Sequence, residues 1–330
     1  MTEGKLALVT GANGFVGSHV TEALLARGYR VRCMVRRSSD LSYIQGLPVE
    51  WAYADLRQGE ALRQACQSVD LVCHCAALTR ALDEETFYQV NTRGVLALAQ
   101  AAVDADPGPE RFLFVSSQAA LGPSRGPDDV LDESSPPQPI TWYGQSKWAA
   151  EQALQDLSER LPLTIVRPAA VFGPRDRDFF AYFSLVKWGL SLKLGRQGRR
   201  ISLIYVHDLV DLIVSALEKE AAWGQTYLGT AYTCSYTQFS ASIAQALNKQ
   251  PLVITVPTML LTPIAFWSRI QGKLTGRPAL LNDQRVLDMR QRYWLCSGEK
   301  ARRELGFVPK YDLGAAVQET VDWYQENHWL

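Results

Sequence analysis

The chain has 330 residues, of which 47% are hydrophobic and 21% are charged, a composition typical of a soluble globular protein with a sizeable core. Its 34 basic and 34 acidic residues leave no net charge, so electrostatics does not point to nucleic acid as a partner. The N-terminus lacks a basic segment followed by a long apolar stretch, and we expect a cytoplasmic protein whose six cysteines stay reduced. Cys73, His74 and Cys75 stand close together, but the sequence offers no second Cys or His pair at ligand spacing, so no metal is expected.

The most informative stretch is residues 6–17, LALVTGANGFVG. Its apolar start predicts a strand that is buried on both faces, and the periodicity of residues 18–27 predicts a helix after the glycines. Gly11 permits a tight turn, Gly14 lets the backbone approach a pyrophosphate, and Gly17 lets the helix pack against the strand. The pattern favours a dinucleotide-binding turn, with a purely structural glycine turn as the alternative.

Apolar runs and helical periodicity alternate through the N-terminal half of the chain. Strands are predicted at residues 30–35, 49–53, 70–75 and 111–115, and helices at residues 58–68 and 87–102. This alternation predicts an α/β fold of the Rossmann type, a doubly wound parallel sheet with a ligand crevice at the carboxyl ends of the strands. The irregular segment at residues 122–139 is long enough to serve as a functional cover.

The residues that follow the predicted strands indicate which dinucleotide is bound. Arg36 and Arg37 stand where an acid would bond a ribose 2′-hydroxyl, and arginine there accommodates the 2′-phosphate of NADP, although a solvated basic turn is the alternative. Asp55 is placed to meet the adenine amino group or to cap the helix that follows it. The small side chains of Ala76 and Ala77 leave room for a cofactor at the end of the fourth strand.

A second constellation suggests proton transfer. Tyr143 and Lys147 are four residues apart, so both lie on one face of a predicted helix. An ammonium group beside a phenol stabilises the phenolate, which lets Tyr143 exchange a proton near neutral pH, and the same lysine can hold ribose hydroxyls. The fifth strand delivers Ser116 and Ser117 to the crevice, where the Ser117 hydroxyl would hydrogen-bond a substrate oxygen during hydride transfer.

These residues stand in motifs that resemble the extended short-chain dehydrogenases/reductases, the group that includes nucleotide-sugar epimerases, dihydroflavonol reductases and 3β-hydroxysteroid dehydrogenases. The resemblance runs nearly end to end. It is carried by TGANGFVG at residues 10–17, DL at 55–56, HCAA at 74–77, NTRG at 91–94, FVSSQAALG at 114–122, YGQSK at 143–147, RPAAVFGP at 167–174 and YVHDLV at 205–210.

The resemblance implies a catalytic triad of Ser117, Tyr143 and Lys147 with Tyr143 as general acid/base, because the family's catalytic serine or threonine usually stands five residues before a glycine. It also implies which residues bind the cofactor. Besides Arg36 and Arg37, these are Thr10, Gly11, Asn13, Gly14, Phe15, Val16, Gly17, Asp55, Leu56, Ala76, Ala77, Tyr143, Lys147, Pro168, Ala169 and Val171. We expect a homodimer that takes a small-molecule substrate.

The C-terminal half predicts a second, smaller unit. We place the NADP-binding Rossmann domain at residues 1–174, with a helix at residues 207–218 returning to it, and an interleaved substrate lobe at residues 175–330. Residues 201–206 are predicted to form a strand. Residues 252–267 are uncharged, but they are too short and too rich in proline to span a membrane, so a lobe helix or pocket wall is favoured. Membrane association is not expected, and interfacial docking stays open.

Two departures from the family pattern bear on the substrate. Nucleotide-sugar members commonly have Asn where Ala170 stands, and an Arg-Asp pair where this chain has Ile201 and Ser202. Both departures weaken a sugar diphosphate as the substrate. The aromatic side chains that follow predict either an apolar pocket rim or, with equal weight, an aromatic lobe core; they are Phe179, Phe180, Tyr182, Phe183 and Trp188.

The sequence therefore favours an NADP(H)-dependent oxidoreductase that interconverts a ketone and a secondary alcohol on an apolar, sterol-like, flavonoid-like or alkyl substrate. A nucleotide-sugar epimerase or dehydratase with a tightly held cofactor is the first alternative. A dinucleotide-sensing regulator is the second, but regulators of that type have typically lost the Tyr/Lys pair that this chain retains.

Overall fold

The structure is a computed structural model that describes residues 4–195, 198–260, 263 and 283–330. Strands and helices are numbered in chain order. The strands are β1 (Leu6–Thr10), β2 (Arg30–Val35), β3 (Glu50–Tyr53), β4 (Leu71–His74), β5 (Arg111–Val115), β6 (Leu163–Pro168), β7 (Ala170–Phe172), β8 (Leu190–Leu194), β9 (Arg200–Tyr205), β10 (Thr226–Gly229), β11 (Tyr232–Ser235), β12 (Leu252–Val256) and β13 (Tyr293–Trp294). The helices are α1 (Phe15–Ala26), α2 (Gly59–Cys66), α3 (Glu84–Tyr88), α4 (Gly94–Val103), α5 (Trp142–Gln155), α6 (Phe180–Lys187), α7 (Val206–Glu218), α8 (Tyr236–Ala246), α9 (Asp283–Arg290), α10 (Glu299–Leu305) and α11 (Leu313–Glu326).

Within the described residues, seven strands form a parallel sheet in the order β10-β6-β5-β4-β1-β2-β3. All five residues of β1 are buried, as expected for a central parallel strand that is covered by helices on both faces. Strand order reverses between β1 and β4, so a crevice opens at their carboxyl ends. The predicted doubly wound sheet of the Rossmann type is confirmed.

Two hydrophobic cores lie on the two faces of this sheet, and the alternation of side chains along β1 shows it. Ala7 and Val9 belong to the core that includes α1 and α7, whereas Leu6 and Leu8 belong to the core that includes α2, α4 and α5. The period of two along a strand produces this division. One helix differs from the prediction, because a π-helical turn at Gln89–Arg93 separates α3 from α4.

Segments after residue 174 contribute to the sheet layer as well as to the lobe. Helix α7 packs against α1, and its side chains join the core on that face of the sheet. The sequence places residues from about 221 onward in the lobe, but β10 pairs in parallel with β6 at the edge of the sheet, with Tyr227 opposite Val166. Pairing satisfies the backbone groups that an uncovered edge of β6 would expose, which explains why β10 lies there.

The remainder of the lobe is built around two small sheets. Strand β9 pairs in parallel with β7 and β13 and antiparallel with β11, while β8 and β12 form a parallel ribbon. The segment at residues 122–139 is tied to the lobe: Leu295 N–H donates to the Ser124 hydroxyl (3.0 Å), and Leu228 N–H donates to the Glu133 carboxylate (2.7 Å).

The uncharged stretch at residues 252–267 does not begin as the expected lobe helix. It forms strand β12, followed by a short 3-10 turn at Thr258–Leu260. The remaining residues of the stretch lie outside the described residues, apart from Pro263. Among the helices that the structure describes, none has both the length and the apolar character that crossing a membrane requires.

Candidate active site

The glycine turn between β1 and α1 has the geometry of an anion cradle. Gly14 is the N-cap residue of α1, and its N–H donates to the Gly11 carbonyl at 2.9 Å. Gly11 has a φ of +65°, and a Cβ at Gly17 would lie 2.1 Å from the Gly11 carbonyl oxygen. Since Gly14 has no side chain with which to cap the helix, the first-turn N–H groups are open to an anion. These residues therefore fit the pyrophosphate of a dinucleotide.

Thr10 and His74 join the carboxyl ends of β1 and β4 beneath this turn. The Thr10 hydroxyl lies 2.7 Å from His74 Nδ1 and accepts a hydrogen bond from Ala76 N–H at 3.2 Å. Burial lowers the pKa of His74 to about 3, so the imidazole is neutral and acts as a structural hydrogen-bonding group. The contacts hold the backbone of Ala76 against Gly11, where a Cβ would come within 2.7 Å.

Arg36 and Arg37 are both exposed at the carboxyl end of β2. A tight turn follows the strand, in which Arg36 N–H donates to the Ser39 hydroxyl (3.2 Å). The Arg37 guanidinium carbon lies 5.0 Å from the centre of the Tyr53 ring, on the neighbouring strand β3. The structure thus places both arginines at the carboxyl end of β2, where the sequence predicts them.

Asp55 and Leu56 follow β3 at the same edge. The Asp55 carboxylate pairs with Arg57 at 2.8 Å, and the hydrogen bond from the Arg57 side chain is the main reason that the pKa of Asp55 falls below its usual range. The cap alternative is wrong, because Gln58 is the N-cap residue of α2. Leu56 is buried against Gly94, where a Cβ would lie 2.9 Å from that of Leu56.

The other residues that the resemblance assigns to the cofactor lie at the same end of the sheet. Asn13 is in the glycine turn, and Phe15 and Val16 open α1. Pro168 ends β6, and Ala169 N–H bonds to the Gly229 carbonyl (2.8 Å). The positions of Ala77 and Val171, after β4 and within β7, complete this set.

Helix α5 carries Tyr143 and Lys147, and Thr141 is its N-cap residue, whose hydroxyl accepts a hydrogen bond from Gly144 N–H (3.2 Å). Lys147 is fully buried, and its Nζ donates to the Val115 carbonyl at 2.7 Å. Burial lowers the pKa of Lys147 to about 7, and the charge of Glu151 opposes part of that shift. The lysine therefore titrates near neutral pH.

The phenol of Tyr143 does not have the lowered pKa that the sequence predicts. Burial of the hydroxyl raises its pKa to about 12, a hydrogen bond with Ser117 opposes part of the rise, and the carboxylates of Asp178 and Asp288 add to it. Removing a phenolate from water costs more than the neighbouring groups return, and the Lys147 ammonium is directed at the Val115 carbonyl. At neutral pH, Tyr143 therefore holds its proton.

Ser116 and Ser117 have different surroundings. Ser117 lies beside the Tyr143 hydroxyl, and its Oγ accepts a hydrogen bond from Ala119 N–H at 3.1 Å. Ser116 is buried and donates instead to the Glu151 carboxylate. The structure thus brings Ser117 together with Tyr143 at the crevice and leaves Ser116 in the packing behind it.

Behind Lys147 lies a buried ion pair that the motif analysis does not predict. The Glu151 carboxylate pairs with Arg167 through contacts of 2.5 and 3.0 Å, and both side chains are almost fully buried. The spacing along α5 carries a signal for it, because Tyr143, Lys147 and Glu151 follow one another at intervals of four residues and share a helix face. The pair fixes the helix face that presents Lys147.

The aromatic run after residue 178 is mostly core and does not form a pocket rim. Phe179 and Phe183 both pack against Phe239, with ring centres 5.5 and 6.1 Å apart. Phe180 packs against Tyr324 at 5.2 Å, whereas Trp188 is 80% exposed. The aromatic-core alternative therefore describes the three phenylalanines, because they fill the space between α6, α8 and α11.

The surroundings of Tyr143 contain polar groups that the sequence does not predict. The charges of Asp178 and Asp288 act on its phenol. Burial raises the pKa of Asp288 to about 6, and its Oδ1 has no hydrogen-bond partner among the described residues. Burial raises the pKa of Tyr236, and the charge of Asp288 adds to the rise; the Tyr236 ring stacks with that of Tyr182, with ring centres 6.3 Å apart. Their segments are far apart in the sequence, so no local motif reveals this cluster.

A family comparison agrees with this geometry. The profile of the NAD dependent epimerase/dehydratase family matches residues 7–228, more than half of the chain. The chain belongs to this family. The members of this family are enzymes, and the chain has the fold and the glycine turn of their nicotinamide-dependent oxidoreductases.

The proteins that are similar to this chain are named for more than one class of reaction. Sterol demethylase protein B of Methylococcus capsulatus is 31% identical, with 97% of this chain and 98% of its own length covered. Ceramide reductase of Caulobacter vibrioides is 30% identical, covering 98% and 95%. UDP-glucose 4-epimerase of Vibrio cholerae is 31% identical, covering 84% of each. Sequence identity alone does not separate reductases from epimerases here.

Proposed function

We propose that this protein is an NADP(H)-dependent oxidoreductase that interconverts a ketone and a secondary alcohol on a substrate with an apolar body. The observation that carries the proposal is the Tyr143 phenol, which keeps its proton at neutral pH and lies beside Ser117 at the crevice. A protonated phenol next to a hydroxyl donor is suited to a carbonyl oxygen that gains negative charge.

The proposed cofactor contacts follow the cradle. The first-turn N–H groups of α1 would hold the pyrophosphate, Arg36 and Arg37 the 2′-phosphate, and Lys147 the ribose hydroxyls. When bound, the nicotinamide supplies or accepts the hydride. Ala76 and Ala77 leave space at the end of β4, because neither side chain extends beyond a methyl group.

In the direction of reduction, the substrate carbonyl oxygen accepts hydrogen bonds from Ser117 and Tyr143. As the carbonyl carbon gains a hydride, the Tyr143 hydroxyl passes its proton to that oxygen, and the product is a secondary alcohol. The phenolate that remains is stabilised by the Lys147 ammonium and recovers a proton from solvent. In the opposite direction, Tyr143 must first lose its proton, and its raised pKa makes that step harder.

Two features support an apolar body. Ala170 provides no side-chain donor, and Ile201 is apolar and buried between β11 and β13, so the Asn and the Arg that nucleotide-sugar members commonly carry at these two positions are both absent here. A diphosphate left without partners in a partly buried site would carry a desolvation cost. The names of the sterol and ceramide relatives point the same way. Asp288, Tyr182 and Tyr236 supply contacts for a polar group on the same substrate.

The test is a substrate screen with purified protein, in which the loss of NADPH absorbance is followed with cyclic and long-chain ketones. We expect turnover with at least one apolar ketone, and loss of that turnover in Tyr143→Phe while NADPH binding persists. Turnover that is unchanged in Tyr143→Phe would contradict the assignment of the general acid.

A nucleotide-sugar epimerase is the second candidate, favoured by the 31% identity to the UDP-glucose 4-epimerase of Vibrio cholerae. Such an enzyme regenerates its cofactor in each cycle, so the purified protein would retain a bound dinucleotide. It would also bind UDP or dTDP sugars. Calorimetric titration with these sugars distinguishes the two candidates, because the favoured one predicts no micromolar binding.

A further inference from the structure

One face of the β8–β12 ribbon is entirely aliphatic. The parallel register places Leu190 beside Leu252, Leu192 beside Ile254 and Leu194 beside Val256. Since side chains alternate along each strand, these residues share one face. We call this set of six the apolar ribbon face. Leu252 is 67% exposed, and Leu192 and Ile254 are each 40% exposed, so the face is open to solvent over much of its length.

Two further large apolar side chains extend this surface beyond the ribbon. Trp188 is 80% exposed and lies next to Gly189, whose carbonyl accepts a hydrogen bond from Leu252 N–H (2.8 Å). Met259, after the other end of β12, is 74% exposed. The surface thus runs the length of five strand residues, about 16 Å. Contiguous exposed apolar surface of this kind marks an interaction site.

The charge of the surrounding sequence is of one sign. Among the described residues, the ranges 179–195, 198–207 and 221–260 contain no Asp or Glu but five Lys and Arg residues, although the whole chain has no net charge. Lys187 precedes Trp188, and Lys249 precedes β12. Helix α9, whose Val286 packs against Leu194, carries two acidic and two basic residues, so it does not change the excess of positive charge.

We propose that the apolar ribbon face, with Trp188, Met259 and the flanking lysines, docks on an anionic lipid membrane surface. Aliphatic side chains enter the region between headgroups and acyl chains, tryptophan favours that interface, and lysines attract lipid phosphates. Charge favours this occupant over a second copy of the chain, because two such faces would bring like charges together. The docking does not depend on the reaction that the enzyme catalyses.

The opposite face of the ribbon connects the docking surface to the substrate side of the site. The hydroxyls of Ser191 and Ser240 share a hydrogen bond of 2.7 Å, which ties β8 to α8. Helix α8 begins with Tyr236, and α6, which leads to Trp188 and β8, carries Tyr182. Helices α6 and α8 therefore carry these two tyrosines and also adjoin the ribbon. A docked enzyme would hold Tyr182 and Tyr236 close to the lipid.

The test is co-sedimentation of the full-length protein with vesicles of phosphatidylcholine, alone or mixed with phosphatidylglycerol. We expect binding to the mixed vesicles that is roughly ten-fold tighter than to phosphatidylcholine alone and that weakens in high salt. Trp188→Ser combined with Leu252→Ser should weaken binding about ten-fold or more. Leu82→Ser combined with Val308→Ser, which removes exposed apolar side chains elsewhere, should bind like the unmodified protein.

Circular dichroism and thermal unfolding of both double variants show whether they are folded. A third variant replaces Lys187 and Lys249 with Gln and leaves the residues of β8 and β12 unchanged. This lysine variant should lose the preference for phosphatidylglycerol. Failure of the unmodified protein to bind mixed vesicles, or equal binding by the Trp188 and Leu252 variant, would overturn the proposal. The proposal would also be overturned if sedimentation velocity shows a dimer that the same substitutions dissociate and the protein does not bind vesicles. The face would then be an interface between copies of the chain.

Discussion

Replacing Arg36 and Arg37 with Ala should remove a preference for NADPH over NADH. Each guanidinium is exposed at the carboxyl end of β2, and Arg37 is already held over the Tyr53 ring at 5.0 Å. Hydrogen bonds to a charged group contribute roughly 1.5 to 3 kcal/mol each, and solvent exposure brings each contact toward the lower figure. Two contacts then give about 3 kcal/mol, which is about a hundred-fold in affinity.

The assay is a titration of each variant with NADPH and NADH, followed by the quenching of tryptophan fluorescence or by calorimetry. The double variant should bind NADPH about as weakly as NADH, while its affinity for NADH stays close to that of the unmodified protein. Arg63→Ala is the matched control, because Arg63 is an exposed arginine paired with Glu60 on α2. Equal binding of the two dinucleotides by the unmodified protein would refute the reasoning and favour the epimerase alternative.

Tyr143→Phe should reduce turnover by ~10² to 10⁴ without changing NADPH affinity or thermal stability, as expected for a lost general acid; retained turnover would contradict the role. Ketone reduction should decrease as pH rises above about 7, because burial lowers the pKa of Lys147 to about 7 and its ammonium, which favours the phenolate left by proton transfer, is lost above that pH; a reduction rate that is flat from pH 6 to 9 by NADPH absorbance would argue against this. Glu151→Gln should lower the free energy of unfolding in urea by about 3 to 5 kcal/mol, because it leaves Arg167 buried and unpaired, whereas Glu85→Gln, in an exposed pair, should change it by less than about 1 kcal/mol.

The sheet is predictable from the sequence because its information is local. The run LALV at residues 6–9, the glycines after it and the helical periodicity that follows each constrain the backbone over a few residues. β10 escapes prediction for the opposite reason. Its four residues have no distinctive pattern, and only the unpaired edge of β6, about sixty residues earlier in the chain, determines where they lie.

The site divides in the same way. The order of motifs places Ser117, Tyr143 and Lys147 at one end of the sheet, but the pKa of Tyr143 depends on how much protein surrounds its hydroxyl, and that follows from tertiary packing. Asp288 belongs to a helix near the C-terminal end and could not be linked to Tyr143 by spacing.

The aromatic run illustrates a third limit. Phe179 and Phe183 are four residues apart, so they share a helix face, yet the sequence does not say whether that face meets a ligand or another helix. In the structure it meets Phe239 on α8. An amphipathic pattern identifies the buried face, whereas the partner of that face is a property of the whole fold.

The most direct test of the central claim is to supply NADPH deuterated at its transferable position together with an apolar ketone, and to analyse the products by mass spectrometry. We predict that deuterium appears on the alcohol carbon, with one NADP released for each alcohol formed, and that Tyr143→Phe suppresses both products. The account would be contradicted if no deuterium reaches any ketone while UDP or dTDP sugars are epimerised or dehydrated with no net consumption of the dinucleotide.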